Sequence, residues 1–173
     1  MKRVRRFSLV VPGVLIGLLA AAPALAADPR IPLTADPVVL PAGDYCQDFT
    51  AVITFQDFNQ YIIRSTTASD GTVTLQIAGR ARATVTNQET GEAVSYNISG
   101  PGTLVIHPDG SFSGDLAGPN LLWTTQANSF PGVPTISYTT GHVTFEVAAS
   151  GLTTSYSLAG GARQTDVCAV LAS

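Results

Sequence analysis

The chain has one lysine, Lys2, one methionine, Met1, one tryptophan, Trp123, and two histidines among its 173 residues. Charged side chains make up 12% of it, about half the share usual in a soluble domain. Beyond residue 26 the basic residues are Arg30, Arg64, Arg80, Arg82 and Arg163, scattered singly. These five arginines stand against twelve acids, a formal charge of −7 for that stretch. Such a field repels phosphate backbones, and no polybasic patch serves an anionic lipid, so neither nucleic acid nor a membrane surface is an expected partner. The chain also lacks a GxSxG elbow, an HExxH pair, a P-loop and a calcium-loop pattern, and with them the recognisable signatures of hydrolytic, metal or nucleotide chemistry. No cofactor and no metal is expected. Nor does any stretch of useful length repeat apolar residues at helical spacing.

What is present begins with a targeting pattern. In "MKRVRRFSLVVPGVLIGLLAAAPALA", Lys2, Arg3, Arg5 and Arg6 precede an apolar run that ends on small residues at Ala24 and Ala26. This order predicts a signal peptide over 1–26, cleaved near Ala26, and a secreted protein. Pro12, Gly13 and Gly17 interrupt the run, which argues against a stable membrane anchor. Residues 27–44 hold Pro29, Pro32, Pro37 and Pro41 and read as an extended arm, ordered where Val38, Val39 and Leu40 approach the fold. Residues 45–173 read as one domain. Cys46 and Cys168, in an oxidising compartment, are expected to form a disulfide.

From Phe49 onward the pattern has period two. Phe49, Ala51, Ile53 and Phe55 share one parity. Val73, Leu75 and Ile77 do the same, then Ala81, Ala83 and Val85, then Val94, Tyr96 and Ile98. Val143, Phe145 and Val147 follow, and finally Leu152, Thr154, Tyr156 and Leu158. These are strands with one face in and one face out. Turn residues at 69–71, 87–91, 108–110, 118–120 and 150–151 separate them. Gly79, Gly141 and Gly160-Gly161 fall within strand-like stretches, where glycine marks a bulge or bend. The expected fold is all-β: a single antiparallel barrel of about eight strands, with a two-layer β-sandwich as the alternative. The polar row Arg82, Thr84, Thr86, Ser95, Asn97 and Ser99 is then the solvated outer wall of a sheet.

Few residues offer chemistry. His107 opens "HPDG", which suits a type I turn. His142 and Glu146 share one strand face with Thr144, and an imidazole beside a carboxylate is an acid–base pair in outline. An exposed polar face shows the same residues. Asp57, Asp109 and Asp115 are placed at or near turns, and no carboxylate pair for glycoside chemistry can be singled out. Trp123 lies in "NLLWTT" with apolar neighbours on both parities, which suits a core residue better than a sugar platform. The longest connection, "QANSFPGVP" at 126–134, carries Phe130. A loop at the mouth of a β fold is where binding resides, so Trp123 and Phe130 are the expected binding residues.

"ARATVTNQETGEAVSYNISGPG", Phe49 three positions after Cys46, and the closing "GGARQTDVCAVL" together resemble a group of small uncharacterised secreted proteins of actinobacteria. The resemblance implies a secreted β domain stapled by Cys46 and Cys168, with no activity and no catalytic residues to carry over. The expected function is therefore a secreted, non-catalytic binding module for a small apolar ligand, an envelope component or a protein. The alternative is a small secreted hydrolase or isomerase built on His142 and Glu146 or on a carboxylate pair.

Overall fold

A computed structural model describes residues 30–173. The expected signal peptide, 1–26, and the first three residues of the arm lie outside the described residues. Twelve strands are formed: β1 (Ile31–Pro32), β2 (Val38–Leu40), β3 (Ala51–Thr67), β4 (Val73–Asn87), β5 (Ala93–Asn97), β6 (Gly102–Ile106), β7 (Phe112–Ala117), β8 (Asn120–Trp123), β9 (Ile136–Thr140), β10 (His142–Val147), β11 (Thr153–Leu158) and β12 (Arg163–Asp166). One helix, α1 (Val167–Leu171), follows, capped by the Asp166 side chain, which accepts from the Ala169 amide. Every strand pairing is antiparallel. The all-β reading holds, and no helix among the described residues is long and apolar enough to cross a membrane.

The twelve strands reduce to seven paths creased along one line. β5 and β6 pair with successive parts of β4 in one unbroken register. Likewise β7 with β10 and β8 with β9 share a register on either side of 118–119 and Gly141. β11 and β12 break at 159–162, and β1 and β2 break at 33–37 beside the single strand β3. β3 and β4 bend without stopping. In β3 an extra residue enters between Gln56 and Asn59, and Asp57 takes a left-handed φ of 50°. Opposite it Gly79 has φ 137°, and a Cβ there would run into the Asn59 carbonyl oxygen. Gly141, with φ 103°, would set a Cβ 2.8 Å from the Ala162 Cα. Both glycines sit where the period-two reading required bends, because only a residue without Cβ fits.

On one side of the crease lies a continuous path β1-β3-β4-β6-β7-β10-β11. On the other the strands part into two layers, β2-β3-β4-β5 and the separate sheet β8-β9-β12. These face each other across the main core of Leu40, Phe49, Ile53, Val85, Ile136 and Val167. Tyr96 of β5 stacks on Tyr138 of β9 with ring centroids 4.3 Å apart. Burying each large aliphatic side chain there contributes about 1.5–3 kcal/mol. A second cluster of Ile62, Leu75 and Leu104 fills the other side. The closed barrel is not formed: the hydrogen-bonded path starts at β1 and ends at β11 without joining them. A sandwich-like layout fits better, since the bends fold the strands into facing layers rather than around an axis.

Cys46 and Cys168 are disulfide-bonded, with Cα atoms 5.4 Å apart, tying α1 to the loop before β3. Asn87 adds a second clamp, donating through Nδ2 to the Leu171 carbonyl at 3.2 Å. The Pro-rich arm is strand at β1 and β2 and docks at both, since Leu40 of β2 is buried and β1 also pairs with β3.

Candidate functional site

The crease leaves two adjoining spaces between the layers, both lined mainly by apolar side chains. The smaller, about 70 Å³, is bounded by Trp123 of β8, Phe130 of the 126–134 loop, Phe112 of β7, Phe145 and Val147 of β10, and Tyr156 of β11. The larger, about 170 Å³, lies on the other side of Leu122, Trp123 and Phe145, which line both. Its remaining walls are Phe55 and Phe58 at the β3 bulge, Ile77 of β4, Leu104 and Leu116 of the sheet beyond, and Leu33 to Asp36 of the arm.

Local chain chemistry explains how these walls are held. The bulge at Asp57 turns Phe55 and Phe58, three residues apart, to the same side, where their rings meet edge to face at 5.7 Å. Gly114 pairs with Phe145 across the sheet, and a Cβ on it would run into the Phe145 ring, so the ring lies over bare backbone. In the loop, Val133 donates its amide to the Phe130 carbonyl at 3.0 Å, and Gly132 has φ 81°. Pro131-Gly132 is thus the centre of a type II turn, which fixes Phe130 at the mouth of the smaller space. Trp123 is half-buried, packed against the main core and bordering both spaces.

Several polar atoms around the smaller space are paired within the protein. Gln164 Nε2 donates to the Tyr156 hydroxyl at 2.8 Å and to Ser137 Oγ at 3.0 Å, and Ser137 Oγ donates to the Pro134 carbonyl. Burial pushes the Tyr156 phenol up to about 12, against a small downward pull from the Gln164 hydrogen bond. One buried hydroxyl, Thr139 Oγ1 on β9, has no hydrogen-bond partner.

The acid–base candidates lie elsewhere. His142, Thr144 and Glu146 share the outer face of β10, and Nε2 of His142 meets Asp115 Oδ1 at 2.6 Å rather than Glu146. Their side chains are 48% and 63% exposed, and neither borders a cavity. His142 and Glu146 are not brought together with each other or with a pocket. Asp115 sits within β7 near the turn at 118–119, Asp57 in the β3 bulge, and Asp109 in a turn, where it accepts from the Ser111 amide and hydroxyl. His107 opens that turn as expected, accepting the Gly110 amide at 3.0 Å. No group of three or more His, Cys, Asp or Glu suited to a metal exists among the described residues.

The row of Arg82, Thr84 and Thr86 pairs outward with Asn97, Ser95 and Ala93, and Thr84 Oγ1 and Ser95 Oγ share a hydrogen bond of 2.8 Å. It is a sheet's wet side. Thr154 also faces out, contrary to its expected inward parity, because a bulge between Glu146 and Val147 shifts the pairing and turns Thr153 to the cavity instead. Of the residues that border the smaller space, sequence reasoning singled out Trp123 and Phe130, placed Phe145 and Tyr156 only by inward parity, and passed over Phe112. No protein-family model, curated protein or solved structure matches this chain.

Proposed function

We propose that the protein is a secreted binding module that takes a small apolar ligand into the creased interlayer site beside Trp123 and Phe130. One observation carries this reading: two apolar spaces adjoin across a shared wall of Leu122, Trp123 and Phe145, with an aromatic loop residue at the mouth. The larger is comparable to the ~150 Å³ apolar cavities that stay dry and accept a benzene ring. Concave apolar sites with few polar groups are where small ligands bind. The secreted setting rests on the targeting pattern at 1–26 and agrees with the disulfide.

The test uses N-phenyl-1-naphthylamine, an uncharged apolar fluorophore, with Trp123 as the only tryptophan reporter. Binding should raise probe emission and quench Trp123. Phe130→Ala should weaken it roughly tenfold, about 1.4 kcal/mol. Binding that survives Phe130→Ala but is lost in an Arg82→Ala/Thr84→Ala double variant would place the site on the outer wall and overturn the proposal.

A further inference from the structure

We infer that the ligand of the smaller space carries an uncharged acceptor oxygen, that of a ketone, ester or ether, which receives a hydrogen bond from the Tyr156 hydroxyl; this rests on the binding-module reading above. The direction of one hydrogen-bond chain carries the inference. The Pro134 carbonyl can only accept, so the single proton of Ser137 Oγ is committed to it at 2.9 Å. Ser137 Oγ must then accept from Gln164, which fixes the side-chain nitrogen of Gln164, rather than its oxygen, 3.0 Å away. The same nitrogen stands 2.8 Å from the Tyr156 hydroxyl. It can only donate, so the phenol oxygen accepts and its own proton is left over. That proton has no acceptor among the described residues, and Tyr156 borders the space. Burial pushes the phenol up to about 12, so the hydroxyl keeps this proton throughout the neutral range.

The rest of the wall leans the same way. None of the side chains bordering the smaller space is charged, and none is an acceptor only. Trp123 Nε1 donates and cannot accept, while the Thr124 and Thr153 hydroxyls serve either way. The Thr135 hydroxyl is committed to the Tyr45 carbonyl at 2.7 Å. A ligand that presents an oxygen lone pair therefore completes the chain that starts at Pro134. One that presents only donors leaves the Tyr156 proton unmatched. A carboxylate would bring a full charge against aromatic walls with no counter-charge beside it.

Isothermal titration with acetophenone and with α-methylstyrene, which has the same shape but a methylene in place of the oxygen, tests this. Tyr156→Phe should weaken acetophenone roughly tenfold and leave α-methylstyrene unchanged. Gln164→Glu keeps the Tyr156 ring but turns the hydrogen bond around, because a carboxylate accepts the phenol proton. It should weaken acetophenone by a similar factor, again without touching α-methylstyrene. Benzoate should bind the parent roughly tenfold more weakly than acetophenone, or worse. If N-phenyl-1-naphthylamine binds normally but acetophenone loses no more than α-methylstyrene in the two variants, or benzoate binds as tightly as acetophenone, the inference is overturned and the binding module stands. If neither that fluorophore nor any of the three single-ring probes binds, the binding-module reading falls with it.

Discussion

Gly114 and Thr139 show how single atoms set this interior. The Phe145 ring occupies the position a Gly114 Cβ would take, so Gly114→Ala should displace the ring and destabilise the domain by about 1–3 kcal/mol, as overpacking does. Chemical denaturation would read this directly, and an unchanged midpoint would count against the packing described. Thr139 is the opposite case. Its buried hydroxyl has no partner and so carries a desolvation penalty of about 1–3 kcal/mol. Thr139→Val keeps the shape and removes the polar atom, and the variant should unfold at a higher denaturant concentration than the parent. Tyr156 titrates with the fold. Its phenol is pushed up to about 12 by burial, above the ~10 of an unfolded chain. The stability this neutral phenol contributes is therefore complete below about pH 10 and lost as pH rises through about 12. Burial raises Tyr45 and Tyr96 as well. Tyr156→Phe should make the alkaline loss of stability shallower without abolishing it, as thermal melts across that range would show.

Along the elements, the bends were the most legible feature. Gly79 interrupts a strand whose parity continues on both sides, from Ile77 to Ala81, and parity with a glycine break is what a crease looks like in one dimension. Gly79→Val and Gly141→Val should each cost about 1–3 kcal/mol, because both demand a positive φ and leave no room for a Cβ. Parent-like unfolding midpoints in both variants would argue against the crease. The sense of the bends was not legible, because parity says which face a residue occupies and not which way the sheet folds. A barrel and a creased pair of layers therefore read alike from Phe49 to Leu158. Bulges hid more. Asp57 puts Phe55 and Phe58 on one side although their spacing breaks the alternation, and the shift after Glu146 exchanged Thr153 for Thr154. Residues 33–36 of the arm carried no sign that they wall a cavity, since contacts across so many residues have no local pattern.

The whole molecule is held at its ends. The Cys46–Cys168 bond spans 122 residues, and closing such a loop removes on the order of 4–5 kcal/mol of unfolded-chain entropy on a simple polymer model. Two apolar clusters remain when it is cut. Reduction should thus lower the melting temperature by roughly 10 °C or more and leave a folded domain, which near-ultraviolet circular dichroism of the reduced protein would confirm by retained Trp123 and tyrosine signals. Complete loss of that signal at room temperature would mean the clusters do not suffice.

The same two clusters leave between them the space on which the proposed function rests, and methyl-resolved NMR during titration with N-phenyl-1-naphthylamine examines that space most directly. The account expects shifts concentrated at Leu122, Val133, Val147 and the Trp123 indole, with the Thr84 and Thr86 methyls on the outer face unmoved. Shifts centred on that outer face, or a spectrum that does not change at saturating probe, would contradict it.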